Sequence, residues 1–295
     1  MKVIDKIVGM VIEDLESGKV PVWRKTWKSF SPMNAFSQRN YRGFNTLLLS
    51  AFCATNNYSY PLFGTFKQIS EAGGRVKKGE GSFPVIYWKI SEKKKVDDET
   101  GEEEDIRYFT PFFYNVFNLD QTENIDTEKF VSEFSKDNNP LEMCEKVIEN
   151  MPNRPQIVHD NQTRAYYKPK QDLVNVPEII RFDGSDEYYS VMFHELGHST
   201  GHSSRLNRFE SNDVEFGSHS YNYEELVAEM AATMLCSHCG IEQTVNNSVA
   251  YLTGWAAFLK NERKTTLFGA ASKAQAAVDY ILGNQNINEY EDRTN

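Results

Sequence analysis

Apolar residues recur at helical spacing along several stretches of this 295-residue chain. Val3, Ile4, Ile7, Val8, Val11, Ile12 and Leu15 follow a 3.6-residue repeat that closes at Gly18, which predicts a packing helix over residues 3–18. Residues 44–53 read as a second, buried helix, 65–72 as a short one stopped by Gly73 and Gly74, and 141–151, 250–259 and 270–282 as further helices. β-Branched and aromatic residues crowd 83–90 and 108–117, which predicts a strand pair, and 165–177 predicts two strands about a turn. Residues 93–105, charged and without apolar pattern, read as a flexible hairpin tip with a solvated acidic loop. Two apolar helices, one over 188–202 carrying histidines and a glutamate and one over 223–235 carrying glutamates, dominate the second half.

This mix of elements places the chain in the α+β class, and its length points to two domains. The division falls at 1–120 and 141–285, joined by a polar connection over 121–140 and followed by a flexible tail over 286–295. Phe130, Val131 and Phe134 could dock that connection as a short helix. Charge separates the same halves: residues 1–95 carry 16 Lys+Arg and 7 Asp+Glu, whereas 96–295 carry 16 and 35. A front of net charge +9 on a rear of −19 points to a polyanion-binding module joined to something else. Cys53, Cys144, Cys236 and Cys239 show no disulfide framework, and Cys236-Ser-His-Cys239 has no second pair to complete a four-ligand site. The amino terminus lacks a signal-peptide core and no run reaches the roughly 18 apolar residues of a membrane helix, so a soluble, cytoplasmic protein with no membrane partner is expected.

The chemistry concentrates in His194-Glu-Leu-Gly-His198. At i and i+4 the two imidazoles project from one helix face and can share a Zn²⁺ ion, leaving room for water and a third protein ligand. Glu195, rotated about 100° from His194, can take a proton from that water, whose pKa the metal lowers toward about 7. The third ligand must come from further on. The motif continues to Gly201 but has Ser204 where a metzincin needs histidine, and His202, the nearest substitute, is out of register. Glu225 and Glu229 are better placed, one turn apart on the later helix. By analogy with the Glu-x-x-x-Asp of thermolysin-like enzymes, Glu225 is assigned to the metal and Glu229 to a histidine's second N–H; the reverse assignment stays open. Tyr221, Tyr223 and His202 all remain open for oxyanion stabilisation.

The front half carries a different chemistry. Trp23, Arg24, Lys25 and Trp27, then Arg39, Tyr41, Arg42 and Asn45, alternate cations with flat rings, the combination that single-stranded nucleic acid needs. Lys67 and the glycine-bounded turn of Arg75, Lys77 and Lys78 add phosphate-binding capacity without matching a nucleotide-loop spacing.

Taken in order, Trp23-Arg-Lys-Thr-Trp27, Tyr41-Arg-Gly-Phe-Asn45, Thr65-Phe-Lys-Gln68, Gly73-Gly-Arg-Val-Lys-Lys-Gly79, Val116-Phe-Asn118, Ala165-Tyr-Tyr167, His194-Glu-Leu-Gly-His198, His202-x-x-Arg-Leu-Asn207, Glu224-Glu-Leu-Val-Ala-Glu229 and Ser272-x-Ala-Gln-x-Ala277 form a set. It resembles the ArdC antirestriction proteins of conjugative plasmids over nearly the full length. The resemblance implies an N-terminal α+β domain that binds single-stranded DNA and a mostly helical, zincin-like metallopeptidase domain with a small sheet. It also implies a role in shielding incoming DNA from restriction. Zn²⁺ is the expected ion, with other divalent ions such as Mn²⁺ open. Double-stranded DNA is a second DNA partner to consider, and a host restriction factor a protein substrate. The competing expectation is a DNA-binding protein whose metal is purely structural. A metal-dependent nuclease is disfavoured, because nothing supplies a second, carboxylate-rich metal set.

Overall fold

The protein's structure, a computed structural model, describes residues 31–96, 103–134, 139–160, 164–209, 219–241 and 265–284. The helices expected over 3–18 and 250–259, and the tail, lie outside these residues. In chain order come β1 (Met33–Asn34), β2 (Arg39–Asn40), α1 (Phe44–Asn56), β3 (Leu62–Thr65), α2 (Phe66–Glu71), β4 (Arg75–Val76), β5 (Phe83–Val96), β6 (Glu103–Asn118), β7 (Thr122–Glu123) and α3 (Thr127–Phe134). There follow α4 (Pro140–Glu149), β8 (Gln156–Val158), β9 (Tyr166–Lys168), β10 (Leu173–Asn175), α5 (Ser185–Ser199), α6 (His219–Cys239) and α7 (Thr265–Ile281). The class is α+β. One sheet runs β2-β1-β3-β6-β5, a second β8-β10-β9, and β4 pairs with β7.

Local chemistry sets the element ends. Thr65 and Gln68 exchange side-chain and backbone hydrogen bonds in a capping box that starts α2. Asn139 caps α4, whose first residue is Pro140. The β5–β6 ribbon is longer than its apolar stretches, which corrects the reading of a free tip at residues 93–96 and 103–105, while 97–102 lie outside the described residues. Backbone pairing continues to Lys94 opposite Asp105, Lys95 opposite Glu104 and Val96 opposite Glu103. Residues 121–140 carry β7 and α3, and Phe130 and Val131 pack under the sheet against the cluster of Met33, Ala35, Leu62 and Leu119.

The largest core crosses from the front half to the rear: Phe44, Leu47, Leu48 and Ile86 share one cluster with residues of α4 to α7. At this seam the Phe44 and Phe268 rings meet edge to face at 4.5 Å. Gly43 N–H donates to Gln275 Oε1 at 2.8 Å, and the Arg42 guanidinium pairs with Asp279, which is only 2% exposed. Among the described residues no helix is long and apolar enough to cross a membrane.

Candidate metal centre

Helices α5 and α6 approach closely because Gly197 offers no side chain: a Cβ there would stand 3.2 Å from Ala228 Cα and 3.3 Å from Ala228 O. On the α5 side of this contact the Nε2 atoms of His194 and His198 are 3.1 Å apart. Glu225 reaches both, Oε2 at 3.5 Å from His194 Nε2 and Oε1 at 3.4 Å from His198 Nε2. A tetrahedral ion with bonds of about 2.1 Å has ligand–ligand edges of about 3.4 Å, so this N,N,O set has the spacing that zinc chemistry needs. It is the metal-capable cluster among the described residues.

The far side of each ring faces another acid. Glu229 Oε2 lies 3.4 Å from His194 Nδ1, long for a hydrogen bond and therefore an electrostatic contact with an otherwise unpartnered buried nitrogen. Glu224 Oε1 lies 3.7 Å from His198 Nδ1 and is held by Arg208, whose Nη2 and Nε reach its two oxygens at 2.6 and 3.2 Å. Arg208 also binds Thr200 Oγ1 at 2.6 Å and Gly197 O at 3.0 Å, tying this acid to the end of α5. The reading of the sequence missed Glu224 and Arg208. Their only signal there was membership in the Glu224-Glu225 pair and in the segment after His202.

Charge is dense in this site. Burial pulls the His198 imidazole down, but Glu225 and Glu224 lift it to about 9, and Glu225 and Glu229 likewise raise His194. Burial pushes Glu225 up, but the two imidazoles hold it far below the carboxylate range. Glu195 is raised, chiefly by burial, and accepts a hydrogen bond from the Tyr167 main-chain N–H on β9. Protons and a divalent ion would compete for the same lone pairs.

His194, Glu195, His198, Glu225 and Tyr221 line one cavity of about 470 Å³, together with Tyr166 and Tyr167 of β9. Strand β9 is an edge strand of its sheet. His202 is elsewhere, its Nδ1 bonded to Ser204 Oγ at 2.8 Å. Tyr223 turns toward α7, where Lys273 Nζ sits 4.7 Å over its ring.

The residues expected to contact DNA scatter differently. Trp23, Arg24, Lys25 and Trp27 lie outside the described residues. Tyr41, Arg42 and Asn45 are half-buried and make contacts within the protein. The Tyr41 phenol, pushed up to about 12 by burial, packs edge to face on Phe63, and Arg42 pairs with Asp279. The Asn45 amide donates to Ile86 O at 2.7 Å and accepts from Ile86 N at 2.9 Å. Arg39, Lys67, Arg75, Lys77 and Lys78 are exposed; Arg75 pairs with Glu123 at 2.5 Å, Lys67 with Glu71 at 3.7 Å, and Lys77 Nζ donates to Asp120 O at 2.7 Å.

Comparison with known proteins agrees with this architecture. Residues 1–117 match the N-terminal domain of anti-restriction factor ArdC, and 143–273 match a zincin-like metallopeptidase family. The crystal structure of the antirestriction protein ArdC from plasmid R388, metal-free, superposes with a TM-score of 0.74 at 31% identity, covering 96% of this chain and 98% of that one. The chain belongs to the ArdC antirestriction family. The Mn(II)-bound structure of the same R388 protein gives a TM-score of 0.72. Two Escherichia coli proteins named DNA primase TraC are 32% and 33% identical over 94% and 92% of this chain. The chain spans 27% and 19% of their lengths. An uncharacterised Sinorhizobium fredii protein is 29% identical over 96% of this chain and 92% of its own length.

Proposed function

We propose that this ArdC-family chain protects incoming mobile-element DNA from restriction, binding single-stranded DNA through its basic front half and carrying a zinc-type metallopeptidase centre on His194, His198 and Glu225. The observation that carries the peptidase reading is the convergence of two Nε2 atoms and one carboxylate at tetrahedral spacing, beside a buried glutamate and an open sheet edge. An ion held there supplies Lewis acidity and draws the pKa of water toward about 7. A borderline N,N,O set suits Zn²⁺, and the Mn(II) in the R388 relative shows that a protein of this family accepts a divalent ion.

The chain's own residues do the rest. Glu195, held by the Tyr167 N–H, is placed to accept a proton from water and return it to a leaving amine. Glu229 and Glu224 fix the imidazoles by facing their Nδ1 atoms. Strand β9 offers its free edge to an extended peptide, which would pair with it and cross the cavity. A host restriction factor is a candidate substrate.

Glu195→Gln tests the assignment. The variant is expected to retain one equivalent of metal by elemental analysis and to lose peptide hydrolysis. Loss of the metal, or unchanged hydrolysis, would overturn the role given to Glu195. A second reading, in which the metal only braces the fold, draws on the position of α5 and α6 at the centre of the core shared by both halves. It predicts that Glu195→Gln still protects transferred DNA fully in a mating assay against a restricting recipient.

A further inference from the structure

Three aromatic side chains stand exposed on one face of the β5–β6 ribbon: Tyr87 at 37%, Phe112 at 43% and Tyr114 at 47%. The register sets Tyr87 opposite Phe112 and Val85 opposite Tyr114, so these four share a face. Lower on that face Val85 and Val116 are closed off by Leu49, Cys53 and Phe63. Higher up the cover stops and the rings emerge, with exposed Lys89 opposite exposed Thr110 at the upper rim.

A bare patch of rings usually marks an interface, and three features identify its occupant. The Tyr87 and Tyr114 centroids are 6.4 Å apart, and positions 112 and 114 are separated by about 6.8 Å of strand, a spacing that lets successive bases of an extended strand each meet a ring. Two of the three rings are phenols, apolar on their faces and polar at the tip, as a surface left in water requires. The bordering charge is a lysine, and residues 1–95 carry net +9.

We infer that Tyr87, Phe112 and Tyr114 form a stacking platform for single-stranded DNA, with Lys89 at its rim as a phosphate contact. This rests on the DNA-binding reading above and adds three rings to its aromatic part. Among the described residues strand β5 is a sheet edge, so none of their strands lies beside it to obstruct a nucleic-acid strand running across the ribbon.

The test is fluorescence anisotropy of a labelled oligothymidylate with full-length protein carrying Tyr87→Thr, Phe112→Thr or Tyr114→Thr, substitutions that keep strand propensity. Each is expected to weaken single-strand binding about tenfold, Tyr114→Trp to restore it, and Lys89→Ala to lower the slope of log affinity against log salt by about one. Photocrosslinking of an iododeoxyuridine-substituted strand to the wild type should place adducts on Tyr87, Phe112 or Tyr114, a readout that does not depend on how any variant folds. Unchanged affinity in a folded variant that combines Tyr87→Thr, Phe112→Thr and Tyr114→Thr, or adducts mapping only elsewhere, overturns the platform while leaving the DNA-binding reading standing. Loss of self-association with DNA affinity intact identifies a protein interface and also overturns it. Failure of the wild type to bind the oligonucleotide removes the parent reading, and the platform with it.

Discussion

At the residue scale, the two acids of α6 that face His194 do different work, and substitution separates them. Glu225→Ala removes a carboxylate whose two oxygens face the two Nε2 atoms, Oε2 at 3.5 Å from His194 and Oε1 at 3.4 Å from His198, and is expected to abolish stoichiometric metal binding. Glu229→Ala touches only the Nδ1 side, so binding should persist with affinity reduced about 10- to 100-fold; titration with a chromogenic chelator measures both. This division was half legible. The i, i+4 spacing put both carboxylates on one face, but which one meets the Nε2 atoms depends on how far α6 is advanced along α5. A second residue-scale case is Arg205, whose fully buried side chain pairs with Asp172 and also donates from Nε to Ser199 O at 2.7 Å. Burial pushes the Asp172 carboxyl up, but the Arg205 guanidinium and the Tyr167 hydroxyl outweigh it and hold it below its ordinary value. A depressed folded value means that the pair stabilises the protein above about pH 4 and loses that contribution as pH falls through the folded value. Asp172→Asn should therefore lower thermal stability at neutral pH, and the difference from wild type should shrink below about pH 4 in an acid melting series.

At the element scale, the centre depends on one helix–helix approach. Gly197 sits in the motif at a position where any residue would satisfy the two-histidine spacing, yet a Cβ there would press on the Ala228 main chain. Gly197→Ala is expected to cost about 1–3 kcal/mol and to weaken metal binding by separating His194 and His198 from Glu225. Ala228→Gly should not rescue it, because the obstruction is Cα and carbonyl oxygen; differential scanning fluorimetry with and without Zn²⁺ checks both. Helix α5 itself was legible from its apolar spacing and its acidic start, and α6 from its run of Leu226, Val227, Met230 and Met234. Strand β8 was not: its three residues pair in parallel with β10, a contact that no local pattern announces.

At the scale of the whole molecule, the division expected from charge does not coincide with a division of the core. Arg42, Gly43 and Phe44 come from the basic half but bind or pack against α7 and the rear cluster. The described halves should consequently unfold together, so that metal binding raises the melting temperature of front and rear probes equally in a single transition. Arg42→Ala leaves a 2%-exposed carboxylate with Gln275 as a remaining neighbour. It should cost about 2–3 kcal/mol, below the range for a fully buried pair because Arg42 is partly exposed. The loss should appear in that same transition and not as a specific defect in DNA affinity.

Short-range order is what the amino-acid sequence determined alone: the histidine helix, the paired acids one turn apart, the capped short helix and the aromatic ribbon all follow from spacings within about four residues or from alternation. Only the tertiary structure decided that Glu225 meets the histidines, that Arg208 holds Glu224 beside the second ring, and that Tyr41 is half-buried against Phe63 while Tyr87, Phe112 and Tyr114 emerge. The physical reason is that exposure and donor convergence are set by which surfaces close over one another, and closure depends on contacts between residues far apart in the chain.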